Sequence, residues 1–269
     1  MHRPDGRRIL GRRFLQIARV TVSPEAQARS TVSVTPLPWL AACLLAATVA
    51  LILAAPPVAT ATPIPSHMAF TGNSRQLIVV TASRLGSRTG TLRFYARAGG
   101  RWRWVFSTKA KLGSRGLVDG TKRVAGSRTT PTGIWAILDY VFGTHAKAPA
   151  GTKMAYRRIT RRSYWTDEWT SLYNTWVETS TPLAGEHLYG IRPYEYALST
   201  GYNALPNEQV LGRGAAIFLH VSHTGYTAGC VSVSHAAMLR IFRLLDPKKH
   251  PRFAVGTLKR GTATSIYSY

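Results

Sequence analysis

The sequence predicts a mainly β domain with one or a few short helices. Short runs rich in branched and aromatic residues recur between glycine- and proline-containing turns, which is typical of successive strands. The segment 101–106 (RWRWVF) alternates basic and aromatic residues, and this period of two indicates a strand with one buried face. The other strands predicted in this way are 76–82, 91–96, 134–138, 194–202 and 215–221.

One segment has the pattern of an amphipathic helix. Ser234 is a suitable N-cap, and Pro247 ends the run HAAMLRIFRLLD that follows it. Its apolar residues share one face, as expected for a helix that covers a sheet: Met238, Ile241, Phe242 and Leu245. Residues 130–133 (TPTG) are interpreted as a turn, and residues 145–187, which lack a clean period, as a long excursion over the sheet.

The composition predicts a folded, strongly basic protein. Apolar residues make up 45% of the 269 residues, which is enough for a core. Lysine and arginine outnumber acidic residues 35 to 11, giving a net charge of +24, and such a surface attracts polyanions. No zinc knuckle, helix-turn-helix or RNP-type pattern accompanies the charge, so we expect anionic cell-wall polymers rather than a specific nucleic acid as partners.

The N-terminus predicts export. Residues 1–35 are basic, residues 39–55 are an uninterrupted apolar run, and Ala59-Thr60-Ala61 has the form of a signal peptidase site. We therefore interpret residues 1–61 as a signal peptide cleaved after Ala61 or, alternatively, as a signal anchor, with membrane contact only if it stays uncleaved. Residues 62–74 are predicted to be a linker. The protein is expected outside the cytoplasm, in the cell wall or secreted.

The chemistry is expected around Cys230, since Cys43 lies in the signal segment and a lone cysteine cannot form an internal disulfide. A predicted strand delivers His220, a loop follows, and the chain returns to Cys230, so the imidazole can serve as base for a thiol nucleophile. Gly229 allows a sharp turn beside amide groups that face a developing oxyanion. The structural alternative is an inert buried thiol and a core histidine.

Other histidines suggest weaker roles. A zinc site built from His220, His223, Cys230 and His235 would have the spacing H-x2-H-x6-C-x4-H, which matches no common zinc module, so neither a metal nor another cofactor is expected. His235 is most simply a residue of the first helical turn. His223 and His187 are interpreted as residues that contact substrate or serve the structure.

These motifs resemble the L,D-transpeptidase catalytic domain, often called YkuD-like, in a variant that looks actinobacterial. The resemblance rests on His220 followed by Thr227-Ala228-Gly229-Cys230, on residues 127–133 (SRTTPTG) and on residues 196–203 (YALSTGYN). It spans roughly residues 75–257 and leaves residues 258–269 as a C-terminal tail. The resemblance implies a β-sandwich with a Cys-His site and no cofactor.

The resemblance also implies a reaction on peptidoglycan stem peptides. Cys230 would attack the carbonyl between a diamino acid and D-Ala, with His220 as base, and release D-Ala. The thioester would pass to an amine of a neighbouring stem, giving a 3→3 cross-link, or to water. The Val221 carbonyl would orient His220, and amides at Gly229 and Cys230 would bind the oxyanion. The residues we expect to contact substrate are His223, Thr227, Tyr202 and His187.

The sequence departs from the family pattern in three respects. Ala228 stands where a second histidine is usual, and Ser232 and Val233 stand where polar or arginine residues often follow Gly-Cys. The ten-residue spacing from His220 to Cys230 is also shorter than the common form. Two alternatives therefore stay open at this point. One is a basic wall-binding module whose Cys-His site has decayed, and the other is a different Cys-His wall peptidase or a sortase-like transpeptidase.

Overall fold

A computed structural model describes residues 62–269. Fourteen strands and one α-helix alternate with short 3₁₀ turns in this part of the chain. In chain order they are β1 (Gln76–Ala82), β2 (Thr89–Ala98), β3 (Arg101–Lys111), β4 (Leu117–Asp119), β5 (Thr130–Ala136), β6 (Tyr140–Gly143), β7 (Ala155–Arg158), β8 (Ser163–Trp165), β9 (Trp176–Glu178), β10 (Glu186–His187), β11 (Tyr196–Ser199), β12 (Phe218–Val221), β13 (Val231–Val233), α1 (His235–Leu244) and β14 (Arg252–Thr257).

Eleven strands form one mixed sheet in the order β4-β5-β14-β1-β2-β3-β13-β12-β11-β6-β7, and β10-β8-β9 form a small second sheet. A single register pair, Ser232 with Lys111, joins β13 to β3. Side chains from both ends of the sheet pack into one apolar core with α1, among them Phe94 and Phe253 from one end and Leu198 and Leu219 from the other. This arrangement confirms the mainly β, sandwich-type fold.

The predicted helix is confirmed as α1. Ser234 accepts a hydrogen bond from the Ala237 N–H at 3.3 Å, as its N-cap position requires. The predicted face is fully buried, with Met238, Ile241, Phe242 and Leu245 at 0% exposure. The hydrophobic periodicity of this segment therefore fixes which side of the helix covers the sheet.

Several segments differ from the sequence prediction. Residues 130–133, expected to be a turn, belong to β5, because β4 and β14 pair with this strand from its two sides. Residues 145–187 contain β7 to β10 instead of being a plain excursion. Residues 62–74, expected to be a linker, include a 3₁₀ turn, Ile64–His67, and the buried side chain of Met68. The tail after residue 257 also packs, with Ile266 fully buried.

The predicted signal segment, residues 1–61, lies outside the described residues. Within residues 62–269, no helix combines the length and the apolar character needed to cross a bilayer.

Candidate active site

Cys230 and His220 line the same cavity, which has a volume of about 390 Å³. Strands β12 and β13 are parallel neighbours with His220 opposite Ser232, and Cys230 precedes β13 by one residue. Since side chains two apart on a strand point to the same side, His220, Cys230 and Ser232 all face this cavity. The strand pairing therefore brings together the two residues that the sequence predicted as nucleophile and base.

The Cys230 thiol is held by backbone groups of the segment that leads into β12. The Phe218 N–H donates to Sγ at 3.3 Å, and the thiol donates to the Ala216 carbonyl at 3.3 Å. Burial raises the pKa of the Cys230 thiol to about 12, against the smaller lowering effect of the Phe218 N–H. The resting thiol is therefore protonated at neutral pH.

His220 is oriented by its own strand. Its Nδ1 lies 2.8 Å from the Val221 carbonyl, the contact that the sequence predicted for orienting the ring. A carbonyl only accepts hydrogen bonds, so Nδ1 carries the proton and Nε2 keeps a free lone pair. Burial lowers the pKa of His220, so the imidazole is neutral at pH 7. No hydrogen bond joins this ring to Sγ within residues 62–269.

The turn before Cys230 is shaped by Gly229 and Thr227. Gly229 has a φ of +141°, and a Cβ there would lie 3.0 Å from both the Arg123 Nη2 and the Thr129 carbonyl. The Thr227 hydroxyl donates to the Cys230 carbonyl at 2.6 Å and accepts from the Gly229 N–H at 3.2 Å. The Gly229 N–H, which we expected in the oxyanion hole, thus already donates a hydrogen bond to the Thr227 hydroxyl.

Two charged residues border the cavity that the sequence did not single out. Arg123 is 5% exposed and donates to the carbonyls of Thr129 and Arg213 at 3.0 and 2.6 Å. Glu186 accepts a hydrogen bond from the Tyr194 hydroxyl at 2.8 Å, and burial raises its pKa. Both residues line the cavity of Cys230. They place a cation and a carboxyl group in the same cavity as Cys230.

The remaining predicted contact residues divide into two groups. His223 and Thr227 line the cavity. Tyr202 is buried outside it, where its hydroxyl donates to the Gly120 carbonyl at 3.0 Å. His187 lies on β10 and stacks on Tyr164 with ring centroids 4.5 Å apart. The substrate-contacting roles stay predictions for all four, and the geometry favours His223 and Thr227.

The residues considered for a zinc site do not gather into one. Within residues 62–269, no three histidine, cysteine or acidic side chains form a cluster suited to a metal ion. His235 lies instead at the start of α1, with its Nε2 3.3 Å from Glu195 Oε1. Glu195 also lies 2.8 Å from His145 Nε2, so this pair of histidines shares one half-buried carboxylate.

Comparison with known proteins identifies the family of the domain. No curated protein gave a significant match to the chain. The family model of the L,D-transpeptidase catalytic domain, YkuD, matches residues 76–259, which contain every strand from β1 to β14 as well as Cys230 and His220. This match covers more than half of the chain and displaces the sortase-like and other Cys-His peptidase alternatives. The chain belongs to the YkuD family of L,D-transpeptidase catalytic domains.

Proposed function

We propose that the protein is a cysteine acyltransferase that acts on peptidoglycan stem tetrapeptides through a Cys230 thioester. The observation that carries the proposal is that Cys230 and His220, whose Nε2 is left unprotonated, line the same cavity. Family membership supports the substrate class, because L,D-transpeptidase domains act on peptidoglycan. A cavity of about 390 Å³ is of the size that takes the end of a peptide.

In the acylation step, the Sγ–H proton passes to His220 Nε2 while Sγ attacks the carbonyl between the diamino acid and D-Ala. Because the thiol and imidazole are both neutral at rest, the charge pair forms only during attack, on a bound substrate. The tetrahedral intermediate then collapses, the C–N bond breaks, and the D-Ala amine leaves with the proton from His220. Nδ1 stays bonded to the Val221 carbonyl throughout, which keeps Nε2 aimed at the cavity.

Deacylation repeats these transfers in reverse order. An amine of a second stem, or water, loses a proton to His220 Nε2 and attacks the thioester carbonyl. The C–S bond breaks, and Sγ recovers the proton. An amine acceptor gives a 3→3 cross-link and water gives L,D-carboxypeptidase activity. The Cys230 amide, which adjoins the attacked carbonyl, is the oxyanion donor in this scheme, since the Gly229 amide is bonded to Thr227.

The alternative is a wall-binding module whose Cys-His site no longer turns over. Ala228 in place of the second histidine favours this alternative, and so does a thiol whose pKa lies near 12. The excess of basic over acidic residues, which persists after residue 61, would hold either protein on anionic wall polymers. The two functions differ in one observable, which is the formation of a covalent adduct at Cys230.

The decisive experiment incubates the protein with tetrapeptide muropeptides and with a carbapenem, and reads masses of the protein and the products. We expect a mass increase that maps to the Cys230 peptide, and loss of D-Ala from the tetrapeptide with or without a cross-linked product. Cys230→Ala should abolish both, whereas Cys43→Ala in the uncleaved chain should leave both unchanged. Absence of any adduct with every donor would favour the wall-binding alternative.

Export is part of the same proposal, because peptidoglycan lies outside the cytoplasm. The basic, apolar and small-residue segments within residues 1–61 support it. N-terminal sequencing of the protein recovered from the cell wall or the medium should begin at Thr62. A protein that keeps residues 39–55 and sediments with membranes would indicate a signal anchor instead.

A further inference from the structure

A second and larger cavity, of about 980 Å³, borders the candidate active site at Ser232, a residue that lines both cavities. Thr89 and Lys109 are exposed residues of its lining, so the cavity opens to solvent. Its polar lining consists of eight serine or threonine residues and three cations, which are Arg93, Lys109 and Lys111. We refer to this cavity as the basic groove.

The pairing of β2, β3 and β13 places the three cations on one face of the sheet. Thr89 lies opposite Lys111 in the antiparallel pair of β2 and β3, and Lys111 lies opposite Ser232 on β13. Opposite residues of an antiparallel pair share a face, and so do residues two apart on a strand. Lys109 and Arg93 therefore share this face, because they lie two and four residues along the same strands. The cations are thus on the side of the sheet that carries the candidate active site.

No carboxylate compensates the charge of the basic groove. Residues 62–118 contain ten lysines and arginines and neither aspartate nor glutamate. Among the described residues, no acidic side chain lines the groove, and no ion pair includes Arg93, Lys109 or Lys111. The groove therefore has a positive potential, which attracts anions.

Two of the cations are held by neutral partners. Arg93 Nη1 donates to the Thr81 hydroxyl at 2.9 Å, and Lys111 Nζ donates to the His223 carbonyl at 2.7 Å. Each contact orients a side chain without compensating its charge, and each cation has further N–H donors. Lys109 is exposed to solvent on the same strand as Lys111. Guanidinium and ammonium groups with open donors bind the oxygens of phosphate groups.

The composition of the lining favours a chain of phosphates joined by polyols. Lys109 and Lys111 are separated by two strand residues, or about 7 Å, a distance that successive phosphates with a three-carbon linker can span. The serine and threonine hydroxyls can bond to phosphate oxygens and to the hydroxyl groups of a polyol. Among the described residues, no aromatic ring lines the groove, whereas proteins that bind single-stranded nucleic acids stack the bases on such rings.

We propose that the basic groove binds an anionic polymer of polyol phosphate units, with Arg93, Lys109 and Lys111 as ligands of its phosphates. The proposal goes beyond the proposed function, because it requires no reaction at Cys230. It assigns a site to the anionic polymers that the charge of the sequence predicts as partners. A polymer bound there lies next to the candidate active site, since Ser232 lines both cavities.

The test measures binding of a fluorescently labelled synthetic oligomer of 1,3-linked glycerol phosphate to the full chain, by fluorescence anisotropy. A groove variant combines Arg93→Gln, Lys109→Gln and Lys111→Gln. It should bind about 10- to 100-fold more weakly than the wild type, because hydrogen bonds between charged groups are lost. The slope of log affinity against log salt should also fall by about 2, since each phosphate contact contributes about 0.7.

A matched control variant removes the same number of charges from exposed positions outside the groove. It combines Arg75→Gln, Arg101→Gln and Arg103→Gln. We expect its affinity to fall by less than about threefold, because exposed charges away from the ligand are screened by salt. Equal weakening in the groove and control variants would show that net charge alone attracts the oligomer, and this result would overturn the proposal.

Circular dichroism shows whether the groove variant folds. If it does not, Lys109→Gln alone replaces it, because this side chain is exposed and its loss should leave the fold intact. The single variant should bind the oligomer at least about threefold more weakly, and an unchanged affinity would overturn the proposal.

Competitors distinguish the polymer from other ligands. A single-stranded oligonucleotide with the same number of phosphates should displace the labelled oligomer less effectively, because the groove offers its bases no aromatic ring. A tetrapeptide muropeptide should not displace it. Equal or better displacement by the oligonucleotide would indicate a nucleic-acid site, and displacement by the muropeptide would place a stem peptide in the groove. Either result would overturn the proposal.

Discussion

Strands β12 and β13 present two faces that differ completely in character. Leu219, Val221, Val231 and Val233 point into the apolar core with α1. The side chains that alternate with them, those of His220, Cys230 and Ser232, point to the opposite side and line the cavity. Neighbouring residues on these strands therefore differ in role: one packs in the core, and the next lines the cavity.

This alternation shows how the fold holds its reactive residues. Burial of the apolar side chains on the core face fixes the register of the two strands, and with it the position of each cavity residue. A shift of the register by one residue would turn every apolar side chain toward the cavity. The cavity face then adjusts reactivity through burial, which keeps the thiol and the imidazole neutral. Substitutions on the core face should therefore affect stability, and those on the cavity face should affect chemistry.

The largest expected effect concerns the thiol on the cavity face. With the pKa of Cys230 near 12, the thiolate fraction should rise about tenfold per pH unit from pH 7 to pH 10. The rate of iodoacetamide labelling at the Cys230 peptide, read by mass spectrometry, should follow this rise. A short unfolded peptide containing Cys230 should level off near pH 9. Levelling of the folded protein near neutrality would mean that a thiolate–imidazolium pair exists at rest.

The shifted pKa values of Cys230 and His220 also make the free energy of unfolding depend on pH. Because the folded thiol has the higher pKa, its stabilising effect is complete below the unfolded value near 9 and is lost as pH rises toward 12. His220 behaves in the opposite sense, since its pKa is lowered in the fold. Its stabilising effect is present above about pH 6.5 and is lost as pH falls through the folded value.

The next effect is on catalysis. His220→Ala removes the proposed base from the cavity face and should lower kcat/KM for D-Ala release by about 10²- to 10⁴-fold, the usual contribution of general acid–base catalysis. The melting temperature should change little, because the side chain is bonded only to the carbonyl of the next residue. His235→Ala, at a half-exposed side chain paired with Glu195, is the matched control and should keep full activity. Equal losses in the two variants would remove His220 from its assigned role.

The core face should show the reverse pattern. Leu219 is fully buried, and Leu219→Ala should lower the free energy of unfolding by about 2–5 kcal/mol. Urea denaturation measures this loss, while the rate per folded molecule should stay close to that of the wild type. Leu258→Ala, at a 45% exposed position, should change stability by less than about 0.5 kcal/mol. A large activity loss in folded Leu219→Ala would show that the two faces are coupled.

Local pattern was enough to predict much of the fold. The strand predicted at 76–82 coincides with β1, and the apolar spacing of α1 gave its buried face. The turn prediction at 130–133 was wrong because Pro131 and Gly133 favour turns, whereas pairing with two distant strands determines the conformation there. Pairing between distant strands leaves no local signal in a single sequence.

The site was predictable only in part for the same reason. Cys230 stood out as the lone cysteine after the signal segment, and His220 as a histidine shortly before it in the chain. Arg123, by contrast, is one of 35 basic residues. It is held in the cavity wall by a hydrogen bond to the carbonyl of Arg213, ninety positions away in the sequence. Glu186 adjoins His187 on β10, but the sequence of residues 145–187 has no clean period that would mark a strand there. The side chains of two successive strand residues point to opposite faces, so only one of them could line the cavity.

The smallest expected effect lies where the two faces meet, in the turn before Cys230. Thr227→Val keeps the shape of the side chain but removes the hydroxyl that bonds the Cys230 carbonyl and the Gly229 N–H. We expect acylation by a carbapenem to slow about tenfold, since displaced reacting atoms lower rates steeply. Thr224→Val is the matched control, because Thr224 lines the same cavity and its hydroxyl bonds neither group. If both variants acylate at the wild-type rate, the backbone of the turn alone positions the nucleophile, and Thr227 is free to contact substrate, as its sequence position first suggested.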